Sequence, residues 1–158
     1  MLCKLLLISL AAIIPSQKPF RLTAAEQRMV KEINNWRAER NLPPMEVDPT
    51  LMKLARESAP YFSHRIRGRW VWQRAWAAGF RGFATDNIAK GHESPQQAVR
   101  HWGEEEHSVG HDKQMRGLFN MNGKWQNYRF DLVGVGIHKR KYIAIFGRKD
   151  GSQDRRGN

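Results

Sequence analysis

The chemistry open to this chain rests on its six histidines, because the 158 residues hold a single cysteine, Cys3, and no Gly-x-Ser-x-Gly or His-Glu-x-x-His motif. An imidazole titrates near neutral pH and can ligate a divalent ion or move a proton. His64 opens the stretch SHRIRGRWVWQRAW, residues 63–76, in which Arg65, Arg67, Arg69 and Arg74 are interleaved with Trp70, Trp72 and Trp76. Such a ribbon has two readings. It is a phosphate- or membrane-binding surface, with guanidiniums on anions and rings stacked or at an interface, or it is scaffolding around a site to which the histidine belongs. A lone histidine at a helix end is more often a hydrogen-bonded structural residue than a ligand, and His92, His101 and His138 read that way.

The elements that position these groups follow from periodicity and capping. Thr23 and Glu26 form a capping box, and Met29, Val30, Ile33 and Trp36 recur at helical spacing until Leu42-Pro43-Pro44 ends the segment. Asp48-Pro49 supplies an N-cap and a proline at the first helical position. The face made of Leu51, Leu54, Ala55 and Ser58 runs to Pro60, so this second helix ends near Tyr61. A loop through Gly68 precedes a short helix in which Trp72, Ala75 and Trp76 share the inward face and Gly79 closes the end, with Arg67 and Arg74 on the solvated side. Ser94-Pro95 with Gln97 caps a further helix, buried through Ala98, Val99 and Trp102 and reaching about Glu105. Asn87-Ile88-Ala89 reads as a buried structural hinge.

The period then shifts. DLVGVGI (residues 131–137) and KYIAIFG (residues 141–147), separated by His138, Lys139 and Arg140, predict an antiparallel hairpin. Gly134 and Gly136 leave one strand face bare for close packing of backbone or rings. Helices first and a hairpin later indicate an α+β domain.

A length of 158 residues and 41% hydrophobic content suit one domain with one core. The 27 Lys and Arg against 15 Asp and Glu give a formal charge of +12, with a pI near 10.4, which favours anionic glycan or anionic lipid over acidic proteins. Residues 1–18 carry Lys4 and then a largely apolar run from Leu5 to Ile14, too short to span a bilayer and matching a secretory signal peptide, with an uncleaved N-terminal anchor as the alternative. Cys3 lies in that segment, so the remaining chain has no intramolecular disulfide, as suits a bacterial extracytoplasmic protein. Residues 149–158 predict a polar, disordered tail.

Several segments, taken in order, resemble the CAP superfamily, also called SCP-like: cysteine-rich secretory proteins, antigen 5 and pathogenesis-related 1 proteins. VKEINNWRAERNLPPMEVDPTLMKLARESA resembles the family's opening pair of helices. FSHRIRGRWVWQRAWAAGFRGFATDNIAKG resembles its serine-histidine pair, its Ala-Gly-aromatic helix end and its Gly-Glu-Asn-Ile-Ala motif. SPQQAVRHW, SVGHDKQM, LVGVGI and YIAIFG resemble the later helix, the second histidine motif and the closing strands. The resemblance spans residues 23–148 and implies a three-layer α-β-α sandwich with a small antiparallel sheet flanked by helices, and a cleft that in many members carries two histidines and two acids. Those positions fall here on His64 and His111, on Asp86, where the family spells glutamate, and on Glu105, with Glu104 and Glu106 as neighbouring choices. His107 is the reserve histidine. The aspartate is one methylene shorter than glutamate, so its carboxylate is expected to stop about 1.5 Å short of the usual position.

Two imidazoles flanked by carboxylates suit a divalent ion, zinc above all, at about 2.0 to 2.1 Å, with carboxylates fixing the ring tautomers. The resemblance therefore implies an exported binding module in the periplasm or cell envelope. A hydrolase using His64, His111, Asp86 and Glu105 on peptide or cell-envelope substrates is the alternative, disfavoured because no nucleophile has an obvious partner. A third reading is a cationic surface, Arg65, Arg67, Arg69, Arg74 and Arg81 with Lys139, Arg140 and Lys141, for anionic glycan or lipid headgroups at a membrane surface. Such contacts carry little sequence preference, and export argues against a specific nucleic-acid partner.

Overall fold

The computed structural model describes residues 20–104 and 110–148, so the segments expected to be a leader, 1–18, and a tail, 149–158, lie outside the described residues. Helix α1 (Ala24–Ala38) starts at the expected capping box: the Thr23 N–H donates to Glu26 Oε2 at 2.7 Å and the Glu26 N–H to Thr23 Oγ1 at 3.2 Å. Glu26 also receives Arg56 from α2 (Pro49–Ser58) through two bonds of 2.7 Å, which ties the first two helices together. Burial pushes the Glu26 carboxyl up, but Arg56 and Thr23 outweigh it and hold the group below its ordinary value. Asp48 Oδ1 accepts from the Leu51 N–H at 2.9 Å and opens α2.

A four-stranded sheet has the order β1-β7-β8-β4. The predicted hairpin is β7 (Leu132–His138) and β8 (Lys141–Gly147), antiparallel from Leu132↔Gly147 to His138↔Lys141. Asn87, Ile88 and Ala89, read as a hinge, lie within β4 (Ala84–Lys90), antiparallel to β8 with Asp86 opposite Ile145. Its partner strand satisfies the backbone groups that a hinge would leave open. The sheet is mixed, not wholly antiparallel, because β1 (Glu46–Val47) joins β7 in parallel register. Two residues are too short to carry a strand period.

Alternation along the strands builds two cores. On one face Val133, Val135, Ala144 and Phe146 meet Met29 and Ile33 of α1, Ala98, Val99 and Trp102 of α4 (Pro95–Gly103) and Met115 of α5 (His111–Met115). On the other, Leu132, Ile143 and Ile145 meet Leu51, Leu54 and Ala55 of α2 and Val71 and Ala75 of α3 (Val71–Ala77). Helices on both faces give the expected three layers. α4 opens at Ser94, whose Oγ accepts from the Gln97 N–H at 3.2 Å, and closes at Gly103, slightly before the expected Glu105.

Two small hairpins complete the fold. β2 (Arg65–Ile66) and β3 (Arg69–Trp70) occupy the expected loop, and β5 (Leu118–Met121) pairs with β6 (Lys124–Asn127) around Asn122-Gly123. The inward tryptophan face of α3 is corrected: Val71 and Ala75 are buried, Trp72 is half-buried and Trp76 is 39% exposed. The positions of this seven-residue helix that join the core, Val71 and Ala75, lie four apart, which turns Trp72 and Trp76, one position on from each, away from it.

The bare face of β7 is covered by the α2 backbone. A methyl group at Gly134 would overlap the Leu51 carbonyl, and one at Gly136 the Ala55 carbonyl. Gly134→Ala is expected to lower stability by about 3 kcal/mol, the upper end for overpacking. Urea unfolding checks this; an unchanged midpoint would mean that α2 can lift off the sheet.

Candidate functional site

His64 stands between α2 and the β2–β3 hairpin. The adjoining Ser63 bends the chain there, since its Oγ donates to the Arg65 carbonyl at 2.6 Å and accepts from the Arg65 N–H at 3.1 Å. The His64 ring places Nδ1 3.1 Å from Asp86 Oδ2. Asp86 is 5% exposed, on the edge strand β4. Its shorter side chain therefore does reach the first histidine. An Nδ1–H donated to the carboxylate fixes one tautomer and turns Nε2 away from it.

The charges are set by that contact. The hydrogen bond to Asp86 raises the His64 pKa against the opposing effect of burial, with the carboxylate charge adding to the rise. Burial pushes the Asp86 carboxyl up, while the His64 bond and the charges of His64 and Arg74 restrain it. Arg74 is half-buried on α3 and donates to Ser58 Oγ. It is thus not on the solvated side of its helix, and Arg67 lies outside that helix in the β2–β3 turn.

His111 is the first residue of α5. Its carbonyl accepts from Asn87 Nδ2 at 2.9 Å, and its ring meets Trp102 edge-on at 6.4 Å between centroids. Burial pushes its pKa down to about 4, and the charges of His64 and His101 push the same way. The ring is therefore neutral at pH 7. Strand alternation sends Asp86 and Asn87 to opposite faces of β4, so the two histidines approach around the sheet edge, close enough for the charge of one to act on the other.

Four buried side-chain atoms among the described residues lack a hydrogen-bond partner: Asn87 Oδ1, His111 Nδ1, Asp112 Oδ2 and Gln114 Oε1. All belong to α5 or to the β4 residue that bonds it; Arg116 Nε lies 3.4 Å from Asp112 Oδ2. Buried polar atoms in folded proteins normally have partners.

A profile of the cysteine-rich secretory protein (CAP) family matches residues 30–143. The chain belongs to that family. The uncharacterized protein YkwD of Bacillus subtilis (strain 168) is 28% identical over 127 residues, covering 75% of this chain and 44% of YkwD, so the chain spans less than half that relative's length. Among solved structures, an extracellular protein containing a SCP domain from Bacillus anthracis str. Ames is 25% identical with a TM-score of 0.63, over 79% of this chain and 40% of that one. An outer surface protein from Borrelia burgdorferi shares the fold at 21% identity and a TM-score of 0.62, over 78% and 92% of the two chains. Among the described residues no helix is long and apolar enough to cross a membrane.

Of the CAP positions expected in the sequence, His64 and Asp86 are in contact, and His111 lies within reach of the His64 charge. Glu105, Glu106 and His107 lie outside the described residues. Glu104 is exposed, and its charge acts on His92, whose ring lies 4.9 Å from that of His101. Among the described residues no three of His, Cys, Asp and Glu converge as a metal cluster. Asn87, which holds the His111 backbone, was not legible as a site residue, and Arg74, read as part of a cationic surface, instead bears on Asp86 through its charge. Only a strand assignment for 84–90 would have exposed their relation to the histidines. The cationic group also divides: Arg65 stacks on Trp70 at 4.4 Å, Arg81 on Trp76 at 4.2 Å, and Lys141 Nζ donates to the Pro60 carbonyl at 2.6 Å.

The two imidazoles link to pH with opposite sign. A depressed His111 pKa gives stability present above the ordinary 6.5 and lost as pH falls from there toward about 4. A raised His64 pKa gives stability present below 6.5 and lost as pH rises through the raised value. Relative to the His111→Gln variant, the chelator-treated chain is expected to lose on the order of 3 kcal/mol at most between pH 6.5 and 4. Urea midpoints of both proteins at the two pH values check this, and equal losses would contradict it.

Proposed function

We propose that this CAP protein is an exported binding module in which His64 and His111, with Asp86 behind His64, take a divalent ion. The observation that carries the reading is the unpartnered, buried Nδ1 of His111 beside a second histidine whose tautomer Asp86 fixes. A neutral imidazole is the ligand form, and His111 is held in that form at pH 7. His64 must release its proton, and Asp86 then faces the cation as the outer carboxylate. His64 and His111 would hold the ion, with water completing the shell, and zinc suits two nitrogens best. When bound, the ion would supply a positive centre for an anionic or carbonyl ligand. Export is supported by the short apolar N-terminal run and by relatives described as extracellular or as an outer surface protein.

Elemental analysis of secreted, tag-free protein refolded without chelator is expected to find zinc at up to one ion per chain, and none in His64→Ala/His111→Ala. Asp86→Asn is expected to weaken zinc binding by roughly 10- to 100-fold. Equal metal in the double histidine variant would remove the basis of the site.

A hydrolytic reading draws on one observation, the opposite displacement of the two imidazole pKa values, which is the pattern of an acid and a base. His64 would then donate a proton and His111 accept one from water. Turnover of peptide or cell-envelope substrates is expected to vanish in each single histidine variant, and activity surviving both changes would exclude it.

A further inference from the structure

A cavity of about 600 Å³ lies between the end of α2, the β2–β3 hairpin and α3, lined by Glu57, Tyr61, Ile66, Arg67, Arg69 and Arg74. Sites for small ligands typically measure about 300 to 1,000 Å³. Of these residues only Arg74 also bears on the histidine site, through its charge on Asp86. The hairpin sorts its side chains by register. Arg65 pairs with Trp70 and stacks on it, while Ile66 pairs with Arg69, and this second pair faces the cavity.

The turn adds a second observation. Arg67 and Gly68 have φ of 50° and 74°, the left-handed pair of a two-residue hairpin turn. Asparagine or glycine is the favoured residue at the first of these positions, and a long side chain there costs local stability. An arginine held at that cost, at the mouth of a cavity with two more arginines, is the kind of broken local rule expected at a functional position. Arg74 forms the inner wall: burial lowers its pKa, and the charges of Asp86 and Glu57 oppose that fall.

The lining specifies a ligand class. Two exposed guanidiniums, Arg67 and Arg69, offer forked donors to a carboxylate or another oxyanion, and Arg74, engaged by Ser58, adds positive charge to the wall behind them. Glu57 repels a bare anion yet accepts from a hydroxyl. Tyr61, 60% exposed, and Ile66 give a ring face something apolar to lie on. A hydroxylated ring carrying an acidic group meets all three demands, whereas a phospholipid headgroup would leave Glu57 opposed to its charge. We infer that this cavity binds an acidic saccharide unit, at a place separate from the His64–His111 site and independent of any metal held there.

Calorimetric titration of the full chain with a disaccharide of glucuronic acid and N-acetylglucosamine tests this, with the neutral disaccharide cellobiose and vesicles of phosphatidylglycerol as comparison probes. The acidic disaccharide is expected to bind at least about tenfold more tightly than cellobiose. Arg67→Asn/Arg69→Gln is expected to weaken it by at least about tenfold, with the urea midpoint kept, because both side chains are exposed and asparagine accepts the left-handed turn. His64→Ala/His111→Ala is expected to leave saccharide affinity unchanged while removing zinc, so failure of one site is distinguishable from failure of the other. Cellobiose binding equally well, an arginine variant binding as the parent does, or no saccharide binding at all would overturn the inference. Binding to the vesicles alone would overturn it too and assign the arginines to a lipid surface.

Discussion

The contact on which the rest of the molecule depends is the seating of α2 on the bare face of β7. With hydrogen at Gly134 and Gly136, the helix backbone lies directly on the strand, and Leu51, Leu54 and Ala55 close over the neighbouring Leu132, Ile143 and Ile145. Any side chain at either glycine would lift the helix by about its own thickness. Everything after α2 inherits that position. Ser58 at its end accepts from Arg74, and the turn that follows delivers His64 to Asp86. The Glu26–Arg56 pair carries the same constraint to α1 on the far side of the sheet.

The edge strand β4 is the second determinant, because it presents adjacent residues to two faces. Asp86 points toward the α2 and α3 side, where Ala84 and Ile88 join that core, and Asn87 toward the side of α5, where Ala89 joins the other. A central strand, walled by neighbours on both sides, would keep these groups apart. At an edge the two histidines can approach around the strand, one held through its ring and the other through its carbonyl. Their different protonation follows from those fixings. His64 gains a carboxylate partner, whereas His111 is half-buried against Trp102 with a buried, unpartnered ring nitrogen and the charge of His64 nearby. An unpaired buried charge is costly, so Asp86 depends on His64 and Arg74 as much as His64 depends on Asp86.

Features governed by local chemistry were legible in the sequence. The caps at Thr23, Asp48 and Ser94 act as their side chains require, and the hairpin of β7 and β8 follows from β-branched runs around a polar turn. The resemblance to the CAP pattern located His64, Asp86 and His111, and no local rule would have paired them. Other elements escaped for physical reasons. ATDNIAK lacks a clean alternation because β4 has polar residues buried on both faces, so its Asn87-Ile88-Ala89 part read as a hinge. Asn122-Gly123 is a strong hairpin signal, but β5 and β6 are short and half exposed. The shortfall expected of Asp86 assumed a fixed backbone; His64, on a loop rather than a helix, comes to the shorter carboxylate.

The arginines show why net charge is a poor guide to a surface. A formal +12 suggests one continuous cationic face, yet the five arginines singled out in the sequence occupy three environments. Arg65 and Arg81 lie over Trp70 and Trp76, where the ring quadrupole competes with any external anion for the guanidinium. Arg74 is held between Ser58 and the charges of Asp86 and Glu57. Arg67 and Arg69 alone combine exposure with a concave lining. Field strength depends on the number of charges within a screening length, but recognition depends on how many remain unengaged and face the same volume. By that measure the cationic character of the 63–76 stretch is concentrated in one cavity wall, and two of the tryptophans that first suggested a binding ribbon hold Arg65 and the later Arg81 elsewhere.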